Sequence, residues 1–433
     1  MLLSLLFAGL FALSVHSMPQ IAVSTTEVPT SATGTPGEIP SGNPPEEFNT
    51  YPNTGNLTQP LAMPYFPAGG NGTNVTDIPV YQAMSDFDWF SLALVLYQEW
   101  IELDLFDFGL NNFTTKDFDD AGLTDDDRSL IAFMADQEVG HAKMISNILG
   151  PNHPPRCTYQ YPFTNVTEFV SFCQKLTRWG EAGVYGFLPH LDSRAAAQLL
   201  LQSITTEARQ QMIFRQFEGL FPMPEFFQVG IPQSFAWTLL APHIKSCPPG
   251  APPLPWQNFP ALTVTNNPSG IDPLYGPAIT HNRTQLSCPG MEVQFLFEAP
   301  GKAVGPNDSY VTQSTAGDPL FAAWISQLNV TYTPLYNVSY GGGVAGNGRT
   351  PYRDAFDDLE DGQLGFQLAG GPPGLNGTAM ARQPDATLYD VNNPLNNGTI
   401  FVALTDTDLY VTPYNISAIL PHVRAGPAIY QAG

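Results

Sequence analysis

The stretch Ile131-Ala-Phe-Met134-Ala-Asp-Gln-Glu138-Val-Gly-His141-Ala-Lys-Met-Ile145-Ser-Asn-Ile148 decides how the first half of the chain is read. Its apolar positions advance in steps of three and four, the period of a helix that buries one face. Glu138 and His141 fall on that same line. A carboxylate and an imidazole one turn apart on a dry face are costly unless something pairs with them, and a divalent metal suits this combination best. Other segments must then supply more carboxylates.

Three further helix-like segments do so. From about Ser85 to Gly109, the apolar line Leu92, Leu96, Leu103, Phe106 passes through Glu99, whereas Glu102, Asp104 and Asp107 lie off it and read as a solvated face. From about Asn165 to Leu188, the line through Cys173, Thr177, Val184 and Leu188 includes Glu181, with Gly180 and Gly183 beside it to admit a neighbouring backbone. Glu168 reads as part of the cap at the start of this helix. From Asp192 to about Gly219, the line runs Ala196, Leu200, Ser203, Glu207, Gln210, Phe214, Phe217. Glu99, Glu138 and Glu207 thus break the hydrophobic pattern of three independent helices in the same way. The set Glu99, Glu138, His141, Glu181, Glu207 and Gln210 describes the carboxylate dimetal site of a ferritin-like four-helix bundle.

The segment Leu92-Ala-Leu-Val-Leu-Tyr-Gln-Glu99-Trp-Ile-Glu102 resembles the first helix of the ferritin-like domain of secreted fungal stress-response proteins, related to plant desiccation-related proteins. Glu138-Val-Gly-His141 is similar to that family's second-helix motif, Glu181 to its third-helix ligand, and Glu207-Ala-Arg-Gln210 to its fourth-helix motif. The resemblance covers roughly residues 78 to 245, and the ending Gly426-Pro-Ala-Ile-Tyr-Gln-Ala-Gly433 resembles the same family. It implies one or two ions of iron or manganese. Gln210 departs from the pattern, which has a second His there, and a neutral amide is a poor ligand for either metal. A shared-proton, metal-free bundle is the alternative, since four inward carboxylates without a cation raise one another's pKa.

At 433 residues the chain exceeds one bundle, so two domains are expected. Leu2 to Leu13 is an apolar run too short to span a bilayer, followed by Val15-His-Ser17, which reads as a signal peptide ending at residue 17. No later stretch reads as a membrane span. Sequons at Asn56, Asn71, Asn74, Asn112, Asn165, Asn282, Asn307, Asn329, Asn337, Asn376, Asn397 and Asn415 fit a secreted glycoprotein. The four cysteines, Cys157, Cys173, Cys247 and Cys288, are expected to form disulfides tying the loop after the second helix, the third helix and the domain junction together.

A net charge of −23 with 16 Lys and Arg excludes nucleic acid as the expected partner. The cluster Asp117, Asp119, Asp120, Asp125, Asp126, Asp127 fails as a calcium loop at Ala121 and Arg128, and reads instead as helix-start charge with Thr124 as the cap. Residues 18–77 form a Pro/Ser/Thr/Gly-rich arm with no fixed fold expected. The bundle is placed at 78–247, with a short packing helix near its end, and a proline-rich linker at 248–262. From 263 to 433, alternating runs such as Met291–Phe297, Leu328–Thr333 and Thr399–Leu404 between Gly, Pro and Asn clusters read as an all-β sandwich-like domain. His281 and His422 show no partner in the sequence. The reading is a secreted, stress-associated ferritin-like glycoprotein, protective or metal-binding. An active diiron or dimanganese oxidase or ferroxidase is the alternative, and a cell-wall glycoprotein contacting polysaccharide a further one.

Overall fold

α1 (Asp86–Asn112) begins where Ser85 accepts a hydrogen bond from the Asp88 N–H, with Asp86 and Asp88 in its first turn favoured by the positive end of the helix. Between Leu92 and Phe106 it has almost no polar face, and it is buried on nearly all sides. The other long helices pack around it: α3 (Asp125–Leu149) and α4 (Val166–Phe187) against α1, and α5 (Arg194–Phe217) against α4. A short helix, α2 (Thr115–Asp120), precedes α3. The computed structural model describes residues 56–59, 81–280, 282–340, 375–388 and 394–433. The signal-peptide reading, the arm at 18–77 apart from 56–59, the sequons at Asn71 and Asn74 and His281 lie outside these residues.

Local chemistry sets each helix start. Thr124 and Asp127 form a reciprocal capping box on α3, as the acidic run foretold. Asn165 accepts the Glu168 N–H on α4, while the Glu168 carboxylate reaches back one residue further, to Thr164. Ser193 caps α5. The buried Asp88 carboxylate accepts the backbone N–H groups of Met84, Asp192 and Ser193, which ties the starts of α1 and α5 together. The glycines of α4 are needed for close approach. A Cβ on Gly180 would strike the Gln98 side chain at 2.7 Å, and one on Gly183 would meet the Ala236 Cβ of α6 (Gln233–Leu240) at 2.8 Å.

The proline-rich stretch 248–262 lies against the helices. Trp256 Nε1 donates to Phe90 O, the Phe259 N–H to Thr238 Oγ1, and the Leu254 N–H to Tyr310 Oη. One disulfide, Cys157–Cys247, joins the α3–α4 connection to the chain following β2 (Ile244–Ser246), which pairs with β1 (Thr158–Tyr159). The expected tie to the third helix is not made. Cys173 sits fully buried on the inner face of α4, out of reach of any loop cysteine, and Cys288 is exposed; both are free thiols.

The second half is a sandwich of two four-stranded antiparallel sheets. One has the order β3 (Leu262–Val264), β4 (Glu292–Glu298), β10 (Leu375–Arg382), β9 (Tyr336–Tyr340). The other runs β12 (Val423–Gln431), β11 (Thr399–Thr405), β7 (Phe321–Ser326), β8 (Asn329–Pro334). A small hairpin pairs β5 (Ala303–Val304) with β6 (Tyr310–Val311). On β11 every residue is buried, for a reason visible in its alternation. Ile400, Val402 and Leu404 join the core between the sheets, while Phe401 and Ala403 belong to the core of the bundle. Helices and sheet therefore share one continuous apolar core. His422 also has a partner here: its Nδ1 lies 2.9 Å from Asp406 Oδ1.

Candidate metal centre

α1, α3 and α5 bring Glu99, Glu138, His141, Glu207 and Gln210 to one place in the bundle. His141 Nδ1 lies 3.2 Å from Glu99 Oε2, 3.0 Å from Glu138 Oε2 and 3.9 Å from Glu207 Oε1. All three glutamates are at most 2% exposed, and the His141 side chain 12%. Gln210 is equally buried and donates its amide N–H to Glu138 Oε1 and, at 3.2 Å, to Gln137 Oε1.

The other imidazole nitrogen is fixed from behind. Thr206 Oγ1 lies 3.1 Å from His141 Nε2 and donates its own proton to Ser203 O. The hydroxyl oxygen is thus left to accept from Nε2–H, so a neutral His141 presents a lone pair at Nδ1 toward the carboxylates. An imidazole whose outer N–H is held by a hydrogen-bond acceptor is the usual arrangement of a ligating histidine.

Glu102 is part of this site, against its reading as a solvated residue. It is fully buried, and its carboxylate lies with those of Glu99 and Glu138 within 4.8 Å. A second group of the same compactness is Glu99, His141 and Glu207. The signal was present in the sequence: a helix apolar on all sides is buried on all sides, so an off-line Glu in its middle is buried too. Gln98 orients Glu102, donating to its Oε1 at 2.8 Å, and accepts the Trp179 indole N–H at 3.1 Å.

Glu181 is fully buried on α4 but belongs to neither compact group. Its Oε2 lies 3.6 Å from Arg178 Nη1. The same guanidinium donates from Nη2 to Glu225 Oε1 at 2.8 Å and from Nε to Thr399 O at 2.9 Å. Burial lifts the Glu181 carboxyl to about 7 against the opposing pull of Arg178.

Burial and mutual repulsion set the protonation of the cluster. Burial raises the Glu99 carboxyl to about 8, although His141 opposes it. Glu102 and Glu207 are raised by burial and then by the neighbouring carboxylates. For His141, burial disfavours the imidazolium, but Glu99 and Glu138 outweigh it and push the ring up to about 12. Glu99 Oε1, Glu102 Oε2 and Gln210 Oε1 have no hydrogen-bond partner among the described residues. Buried oxygens without partners, gathered around one imidazole, are the donor set of a hard or borderline divalent cation.

Residues 85–220, which contain every one of these side chains up to Gln210, match the family described as Ferritin-like domain. The chain is also 48% identical over 403 residues to Protein rds1 of Schizosaccharomyces pombe, an alignment covering 89% of this chain and 91% of the relative.

Proposed function

Since this chain belongs to the fungal family of ferritin-like proteins that includes Protein rds1, we propose that it is a metal-binding, protective protein of the extracellular space, whose centre holds iron or manganese. The observation that carries the reading is the buried group of Glu99, Glu138 and Glu207 around His141 Nδ1, with partnerless oxygens on Glu99 and Gln210. When bound, the ion supplies positive charge that offsets the carboxylates and a Lewis-acidic centre. Glu138 holds its place through Gln210, and His141 through Thr206, so both are set before an ion arrives. Five glutamate and glutamine side chains against one imidazole favour the oxygen-seeking ions over zinc or copper. An oxidase or ferroxidase is the second reading, favoured by the two compact groups that share Glu99, which could hold two ions close together.

Elemental analysis of protein purified without chelator or affinity metal tests the first reading. About one or two equivalents of iron or manganese are expected, as for one ion per compact group, and are expected to vanish in Glu138→Ala/His141→Ala. Metal retained in a folded double variant would overturn it. Oxygen consumption on adding ferrous iron separates the second reading from the first.

Secretion is supported by the Cys157–Cys247 disulfide, which suits an oxidising compartment. It is supported also by exposed sequon asparagines, among them Asn112, Asn165, Asn282 and Asn329. Asn397 is different: it is half-buried, its Nδ2 donates to Pro224 O, and its Oδ1 accepts the Gly398 N–H. Enzymatic deglycosylation in heavy-oxygen water should therefore label Asn112, Asn282 and Asn329 and spare Asn397. Peptide mass spectrometry reads the pattern, and unlabelled asparagines throughout would remove the glycoprotein reading.

A further inference from the structure

The ligand set of the centre is not the one that helix periodicity selects, and the difference lies in a single arginine. Arg178 is a buried guanidinium with two hydrogen-bonded anchors, Thr399 O on the sheet and Glu225 Oε1 in the loop after α5, and a looser ion pair at 3.6 Å to Glu181, one helical turn along α4, whose oxygens make no hydrogen bond among the described residues. Two of these fix its position from outside the bundle. Glu181 therefore faces a permanent cation that is held in place. A metal ion at Glu181 would be drawn into a low-dielectric region beside that charge, where like charges repel strongly. If Glu181 swung away to ligate, it would strip Arg178 of one of its two carboxylate partners.

Meanwhile α1 supplies a replacement carboxylate. Glu102 Oε1 is held by Gln98, which leaves Oε2 as a fully buried oxygen with no hydrogen-bond partner among the described residues, grouped with Glu99 and Glu138. Gln98 in turn lies in the space left by Gly180 and receives the Trp179 N–H, so α4 still serves the centre, but by orienting a ligand. We propose that the metal centre is completed by Glu102 of α1, and that Glu181 is the counter-ion of Arg178 and stays outside it. Gln98 is then a positioning residue. The assignment rests on the metal-binding reading above. It makes the sheet, through Thr399 O and Arg178, part of what decides which glutamates ligate.

The test is a Co²⁺ titration of the full chain, read by visible absorption and by calorimetry, on wild type, Glu102→Gln and Glu181→Gln. Both substitutions are isosteric and remove the capacity to carry negative charge, and Glu102→Met stands in should the first variant aggregate. Expected is a loss of affinity of about tenfold or more in Glu102→Gln, with altered Co²⁺ bands, on the scale known for perturbed metal sites. In Glu181→Gln, affinity within about twofold of wild type and unchanged bands are expected, as for a group that makes no contact with the ion. A tenfold loss in Glu181→Gln, or none at Glu102, would overturn the assignment while leaving the metal reading intact. Wild type that takes up no Co²⁺, iron or manganese would remove both.

Discussion

Arg178→Met is expected to be among the most destabilising single substitutions in this chain, lowering unfolding free energy by about 3–5 kcal/mol, the cost of breaking a buried charge pair from one side. The Glu225 side chain, 4% exposed, would lose its 2.8 Å partner, and the fully buried Glu181 its 3.6 Å one. Thr399 O would lose a donor inside the shared core. Methionine replaces the volume of the stem but none of the donors. Arg178→Lys should recover only part of the loss, because a lysine ammonium cannot direct three donors along the fixed fork of a guanidinium. Urea unfolding of metal-free protein measures both. A loss under about 1 kcal/mol in Arg178→Met would place the pair in the class of weak, solvated contacts and remove the structural argument for it.

Metal-free protein should be more stable at pH 5 than at pH 8, the reverse of most acid-sensitive folds. Glu99 titrates near 4.5 when unfolded and near 8 when folded. Between those values the native state holds a proton that the unfolded chain releases, so stability falls as pH rises through the window. Glu181, moved from 4.5 to about 7, acts in the same direction, as do the raised Glu102 and Glu207. His141, raised from 6.5 to about 12, contributes stability that is complete below 6.5 and is lost as pH climbs toward 12. These five signs agree, and they outnumber the opposing one from buried His243, whose ring, lowered from 6.5 to about 4, costs stability as pH falls below 6.5. A chelated sample should melt about 2–4 °C higher at pH 5 than at pH 8, the shift given by ~2 kcal/mol when bundle and sandwich unfold together.

A saturating divalent ion should invert that order. Ligation needs deprotonated carboxylates and a neutral imidazole, so the ion competes with protons and binds better at pH 8. At a free concentration of about 100 Kd it adds ~2.7 kcal/mol to the folded state. Melting curves at the two pH values, with chelator and with Mn²⁺, give a four-way comparison. A chelated protein whose melting temperature rises from pH 5 to pH 8 would contradict the picture of buried, proton-sharing carboxylates.

Much of this could be read from residues in line. Glu99, Glu138, His141, Glu207 and Gln210 converge because each interrupts an apolar series at a helical step, and the period of a helix is a local property. The strands around Phe295, Thr331 and Val402 were visible in the same way, through alternation and turn residues. Glu102 was hidden by the assumption of one dry face, which α1 does not obey. The role of Arg178 was beyond reach, because its partners Glu225 and Thr399 are 47 and 221 residues away. The cysteines pair by three-dimensional proximity, and the inward position of Cys173 had no cysteine opposite it. Prolines in 248–262 read as punctuation, yet Leu254, Trp256 and Phe259 between them bring that stretch onto the helices.

The two-faced strand β11 limits how the two halves can be separated. Phe401 and Ala403 enter the helical core while Ile400, Val402 and Leu404 fill the sandwich, so neither half can be cut free without exposing an apolar surface made for the other. A foreign sandwich of the same size would have to present an equally apolar outer face at this strand to cover the helices.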